Sequence, residues 1–279
     1  MFILTDSIEN IVISISELTS CSLREIETFS REIYDGCEEN SIIYMDRIRK
    51  KVMNFMEIYA KAKIEMVCMH HLTRRLNGYS DGKTVGNNLH DLLCKESPLT
   101  SFLASFMVEF TSDNEVVRML YRGQEVNVGV GPAASIRLKL RLGQLDKNAR
   151  DHCINGFAFA DRLEKNNYFS YLSYGPEILQ DIAEVLHRPE IIEAYKRQSS
   201  YYRYTFLLPI SLPIMNSTPD ATNDEKAINL LAVCFCRMHD LYCEPNRKAW
   251  YDHDNILMQL NKNDSLSTEF LFRRTLVDD

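Results

Sequence analysis

The stretch from residue 41 to residue 76 constrains the fold most, because its 36 residues contain neither proline nor glycine. Its apolar residues recur at alternating intervals of three and four, which is the spacing of one face of a helix. The positions on this face are Met45, Ile48, Val52, Phe55, Tyr59, Ala62, Met66, Met69, Thr73 and Leu76. At about 1.5 Å per residue, the pattern predicts one helix of about 54 Å with a coiled-coil seam.

Charge distinguishes this stretch from the chain before it. Residues 1–40 contain nine acids and two bases, whereas residues 41–76 contain eight bases and three acids. Opposite charges favour packing of the first helices against the long one, and Ser22-Leu23-Arg24-Glu25 is a capping-box pattern for one of them. We therefore expect residues 1–80 to be a helical, coiled-coil-like segment that forms a homodimer through residues 41–76. An intrachain bundle that buries the same face is the alternative.

Composition excludes several classes of protein. With 279 residues, of which 45% are hydrophobic and 25% charged, the chain resembles a globular protein rather than a fibrous or disordered one. No apolar run reaches the roughly 20 residues of a bilayer span, and the N-terminal residues lack the basic region of a signal peptide. The net charge of −7 argues against a nucleic-acid partner. We therefore expect a cytoplasmic protein without a membrane partner.

Residues 81–279 combine the patterns of strands and helices, so the predicted fold class is α+β. Alternating or continuously apolar runs predict strands. These runs cover residues 102–110, 116–121, 135–142, 202–210 and 228–236, and the first two are joined as a hairpin. Helical spacing predicts helices at residues 176–186, after Pro189 and at residues 250–260. The run at 135–142 also fits the amphipathic edge of a helix.

The order of these elements resembles that of a GAF domain. Residues 106–121 resemble the first hairpin of that family, and Gly156-Phe157-Ala158-Phe159 occupies the place of its glycine turn. The run Tyr204-Thr205-Phe206-Leu207-Leu208-Pro209-Ile210 resembles its proline-containing apolar strand, and residues 230–236 resemble the central strand that follows. The resemblance implies a GAF-like antiparallel sheet flanked by helices across residues 81–279.

The same resemblance implies a function. A GAF-like domain behind a long helix is similar to a sensory or regulatory module, in which a small ligand or a protein partner binds the domain and shifts a dimer helix. An enzyme whose active site comes from residues remote in sequence is one alternative, and a ligand-free structural interaction subunit is another. No Gly-x-Ser-x-Gly nucleophile elbow occurs, so we name no catalytic residue.

An aromatic cluster provides the candidate ligand site. Tyrosine combines a large apolar area with one polar tip, and arginine binds anions or stacks on a ring. We therefore expect a ligand to contact Arg203, Tyr204, Tyr168, Tyr171 and Phe157. The alternative is that the aromatic residues cap the edge of the sheet.

Four other motifs resemble binding or catalytic patterns. Gly129-Val130-Gly131-Pro132 lacks the lysine of a P-loop and the third glycine of a dinucleotide site, so we interpret it as a turn. Cys234 and Cys236 would share one face of a strand, which allows zinc chelation, but cysteine is also a common buried apolar residue and we favour that role. His70-His71 diverge on the predicted helix, and Asp252-His253-Asp254 lacks a nucleophile. We therefore name no metal and no cofactor.

Overall fold

The structure is a computed structural model that describes residues 1–35, 43–78, 82–113, 116–128, 133–145, 153–243, 252, 254–262 and 264–277. Every helix within these ranges is too short or too polar to cross a membrane. The predicted domain boundary at residue 80 and the turn at Gly129-Val130-Gly131-Pro132 lie outside the described residues.

Ten α-helices occur in the described residues. They are α1 (Ile8–Thr19), α2 (Leu23–Arg31), α3 (Ile43–Tyr59), α4 (Leu89–Cys94), α5 (Pro98–Ala104), α6 (Ala133–Arg141), α7 (Asn167–Ser173), α8 (Glu177–Val185), α9 (Glu190–Gln198) and α10 (Asn223–Cys243). Side chains cap the N-termini of the first two helices. Ser7 accepts a hydrogen bond from the Asn10 amide at the start of α1, and Ser22 forms the predicted capping box with Glu25 at the start of α2.

The strands of the described residues form three sheets. They are β1 (Phe2–Ile3), β2 (Met66–Leu76), β3 (Thr84–Gly86), β4 (Val108–Asp113), β5 (Val116–Tyr121), β6 (Gln124–Glu125), β7 (Asn155–Phe157), β8 (Ser199–Pro209), β9 (Ile214–Met215), β10 (Leu257–Gln259), β11 (Leu266–Ser267) and β12 (Leu271–Leu276). The largest sheet has the order β12-β8-β2-β7-β10-β9, with β1 parallel to β2. The predicted hairpin is the antiparallel pair β4 and β5, but the strand predicted at 102–110 is wrong in its first part, because residues 102–104 belong to α5 and β4 begins at Val108. The strand predicted at 202–210 coincides with β8 over most of its length. The α+β class is therefore confirmed.

The chain divides into two compact units. The first contains Met1–His70, Gly156–Asn167 and Phe206–Gln259, and the second contains His71–Asn155, Tyr168–Thr205 and Leu260–Asp279. Each unit is therefore built from three separate stretches of sequence.

Helix α10 is the centre of the first unit. It contacts α1, α2 and α3, and its residues 230–238 are all buried. Phe235 of α10 lies in an aromatic cluster with Phe29 and Phe55, whose ring centroids are 4.4 Å apart and stacked. The apolar middle of α10, residues 230–236, is therefore covered by the helices around it.

The second unit has its own core around the hairpin and helices α5, α6, α8 and α9. Leu138, Ile182 and Tyr195 are buried in it together with Val117 of the hairpin. A buried ion pair between Arg141 and Asp181 joins α6 to α8, and Arg137 Nε donates to Asp181 at 2.8 Å. Burial raises the pKa of Asp181, and the two guanidinium groups oppose that shift.

The prediction of one helix over residues 41–76 is wrong in its second half. Helix α3 ends at Tyr59, and Met66–Leu76 form strand β2, which pairs with β1 and β7. Val67 and Met69 are buried in the sheet as fully as they would be in a helix seam. The apolar pattern therefore fits both a helix and a strand, and tertiary contacts decide between them. The first half of the apolar face, at Ile48 and Val52, is buried within the first unit, as in the intrachain alternative.

Two predicted strands are helices. Residues 228–236 belong to α10, because a continuous apolar run fits a fully buried helix as well as a buried strand. Residues 135–142 fall mostly within α6, as in the helical alternative, and Leu138 of α6 is buried together with Leu142 just after its end. The helix predicted at 250–260 is also wrong in its described part, which contains β10.

Candidate functional site

A groove of about 1140 Å³ in the first unit is the candidate functional site. Its walls are the second half of α3, residues 60–64, β9 with the turn that follows it, and the first turns of α10. The volume is slightly above the roughly 300–1,000 Å³ typical of sites for small molecules. The groove therefore has room for an elongated ligand.

Methionine side chains dominate the apolar part of this groove. Met53 and Met56 face it from α3 and Met215 from β9, together with Ile64 and Ile228. Met215 and Ile64 are buried, whereas Met53 is 44% exposed. Methionine is unbranched and polarisable, so a surface of this kind adapts to ligands of different shape.

Lys226 lines the same groove and is only 6% exposed. Its ammonium group donates to the carbonyl oxygens of Ile210 at 3.3 Å and Ser211 at 3.5 Å. Burial lowers the pKa of Lys226 below the usual value of 10.5, since the charged form loses solvation. The groove thus combines an apolar surface and one buried cation with exposed charged residues, among them Glu57 and Asp220.

The acidic residues next to Lys226 have other partners. Asp224 pairs with Lys63 at 3.4 Å, and both side chains are exposed. Glu225 forms a capping box with Thr222 at the start of α10, in which its carboxylate accepts from the Thr222 amide at 2.7 Å. These hydrogen bonds lower the pKa of Glu225, because they favour its charged form.

A second charged cluster lies further along α10. Arg237 is fully buried and donates to Asp161, to Asp252 at 2.5 Å and to Asp254 at 3.0 Å. Its guanidinium carbon lies 4.3 Å from the centroid of the Phe159 ring. Burial raises the pKa of Asp161, and the neighbouring Arg237 opposes that shift. Each charge in this cluster has a protein partner, so we assign it a structural role.

The five residues predicted to bind a ligand lie in different places. Phe157 ends β7 in the first unit, whereas Tyr168 and Tyr171 lie on α7 and Arg203 and Tyr204 lie in β8, all in the second unit. The assignment of these residues to a ligand stays a prediction.

Two of these five residues, Tyr204 and Tyr171, have contacts within the second unit. Tyr204 is fully buried, with the guanidinium groups of Arg75 and Arg274 at 5.4 Å and 5.6 Å from its ring centroid. Tyr171 interacts electrostatically with Asp181, and burial raises its pKa. Tyr204 lies on β8, between β2, which carries Arg75, and β12, which carries Arg274.

The residues of the other sequence motifs lie in different elements from those predicted or pair with other residues of the protein. Cys234 and Cys236 lie on α10 rather than on a strand, so their side chains diverge, and no group of three metal-ligating residues occurs in the described part of the chain. His70 and His71 lie in β2 rather than on a helix surface, and His70 is fully buried. His253 lies outside the described residues, and its neighbours Asp252 and Asp254 are bound to Arg237.

Comparisons of the chain with family models, with curated proteins and with solved structures found no match in any of the three. The candidate site therefore depends on the geometry of the groove alone. Sequence reasoning missed Lys226 and the three methionines, although Thr222-Asn223-Asp224-Glu225 has the spacing of a capping box and would have indicated a helix start beside Lys226.

Proposed function

We propose that this protein is a regulatory binding protein that accommodates an elongated, mainly apolar ligand in the groove of its first unit. The observation that carries the proposal is the methionine-rich surface formed by Met53, Met56 and Met215 in a groove of about 1140 Å³. Large concave apolar surfaces with few polar groups are the common form of small-molecule sites. The regulatory role is the one that the GAF resemblance of the sequence implies.

Homodimerisation through residues 41–76 is not part of this proposal. Ile48, Val52 and Phe55 of the predicted seam are buried inside the first unit, so they are not available to a second copy. Met66 lies in β2 and not on a helix.

Titration with primary alcohols tests the proposal. Burial of each CH₂ group contributes about 0.8 kcal/mol, so decanol should bind about fifteenfold more tightly than octanol in isothermal titration calorimetry. Met53→Glu places a charge in the groove and should weaken binding of both alcohols at least tenfold, because the ligand would have to desolvate a carboxylate.

Ile58→Glu is the matched control for this experiment. Ile58 lies on the same helix, is 70% exposed and does not line the groove. The control should bind both alcohols as the original chain does. Failure of the original chain to bind either alcohol, or equal weakening in both variants, would overturn the proposal.

A further inference from the structure

Lys226 is a buried cation whose partners in the described residues are only carbonyl oxygens. Its two hydrogen bonds, to Ile210 and Ser211, are long at 3.3 Å and 3.5 Å. Lysine is almost never buried to this degree unless a carboxylate or another acceptor of full charge pairs with it. No carboxylate of the described residues forms an ion pair with Lys226, and burial is the one cause that shifts its pKa.

The carboxylates that are closest in sequence do not supply the missing charge. Asp224 is exposed and pairs with Lys63, and Glu225 is bound to the amide and hydroxyl of Thr222. Lys226 therefore retains a hydrogen-bonding capacity, since an ammonium group has three donors and two are used.

We infer that the ligand of this groove is an amphipathic acid, whose carboxylate pairs with Lys226 and whose hydrocarbon chain lies on Met53, Met56 and Met215. This inference rests on the proposed function, because it names the class of ligand for the same groove. A charge-assisted bond to a buried ammonium group is stronger than a bond between neutral groups, so the acid should be preferred to the alcohol of equal length.

Calorimetric titration with decanoate, decanol and decylamine tests the inference. The three probes have the same chain and differ in the head group alone. The original chain should bind decanoate about tenfold more tightly than decanol, and decylamine more weakly than decanol. Equal affinity for decanoate and decanol, or tightest binding of decylamine, would overturn the inference.

Two variants connect the preference to Lys226. Lys226→Met removes the charge but keeps a long apolar side chain. This variant should still bind decanol, and its affinities for decanoate and decanol should be about equal. Lys226→Arg keeps the charge and should keep a preference for decanoate. A preference that persists in Lys226→Met would contradict the assignment, and the ratio measured in the original chain is informative even if a variant fails to fold.

The outcomes separate the inference from the proposed function. If decanol binds and decanoate has no advantage, the groove is an apolar site and only the acid is wrong. If none of the three probes binds, the proposed function itself is wrong, and the inference is wrong with it.

Discussion

Lys226 and Arg237 are two buried cations on the same helix, about three turns apart, and they differ in their partners. Arg237 donates to three carboxylates, whereas Lys226 donates to two carbonyl oxygens. A buried cation with several carboxylates is neutralised within the protein and stabilises a packing arrangement. A buried cation without one is available to an anionic ligand. The difference in pairing, rather than burial itself, separates a structural residue from a candidate binding residue.

Replacement of Arg237 by leucine tests its structural role. The change leaves Asp161 and Asp252 buried without their counter-charge, so we expect the free energy of unfolding to fall by about 3–5 kcal/mol. Urea denaturation followed by circular dichroism measures this loss.

The control for that variant is Arg118→Leu. Arg118 pairs with Glu125 at 3.5 Å, and the two side chains are 48% and 55% exposed, so the loss should stay below about 1 kcal/mol. Similar losses in the two variants would show that the Arg237 cluster contributes no more than a surface pair.

His71 should make stability depend on pH. Burial lowers the pKa of His71 to about 4, and its Nδ1–H group donates to the Asn155 carbonyl at 2.7 Å. The unfolded chain binds this proton near the ordinary pKa of 6.5, while the folded chain binds it only near 4. Stability is therefore complete above pH 6.5 and is lost as the pH falls towards 4, by at most about 1.4 kcal/mol per pH unit.

The variant His71→Gln isolates this contribution. Glutamine does not titrate and can still donate to the carbonyl group, so its free energy of unfolding should fall less steeply between pH 6.5 and pH 4. Chemical denaturation at several pH values gives the difference between the two chains. Parallel pH profiles would contradict a His71 that stays neutral in the folded chain between pH 6.5 and pH 4.

At the scale of elements, the sequence predicts those whose signals are local. The capping box at Ser22 and Glu25 predicts α2, and the strand-like runs at residues 102–110 and 116–121 predict the hairpin of β4 and β5. The sequence misassigns elements whose identity depends on distant partners. Residues 66–76 fit a helix seam but pair with β1 and β7, and residues 228–236 fit a buried strand but belong to α10, which packs against α1, α2 and α3.

Gly156 tests the close approach of β7 to β2. A Cβ atom at this position would lie 2.6 Å from Met69 Cγ and 3.0 Å from the His70 carbonyl oxygen, so Gly156→Ala forces the two strands apart. We expect a loss of about 1–3 kcal/mol in the free energy of unfolding, measured by thermal or urea denaturation.

Gly82→Ala is the matched control for that change. No atom lies within 4 Å of the added Cβ at Gly82, so the control should be neutral or slightly stabilising. A neutral Gly156→Ala variant would show that the strands can separate without cost.

At the scale of the molecule, each unit combines segments that are far apart in the sequence. The groove joins residues of α3 to the turn after β9 and the start of α10, more than 150 positions later in the chain. The aromatic residues predicted to bind a ligand all lie between residues 157 and 204. They are therefore easier to recognise as a cluster in the sequence than the residues that line the groove. A site assembled from remote segments has no short motif, so the sequence alone does not indicate it.

The location of the ligand is the central claim, and methyl NMR of the methionines tests it most directly. The chain has eleven methionines, and ¹³C-methyl labelling observes each of them during a titration with decanoate. We predict shifts for the methyl groups of Met53, Met56 and Met215, which line the groove, and none for Met107 and Met119 of the second unit. Shifts confined to Met107 or Met119, with the three groove methionines unchanged, would contradict the account.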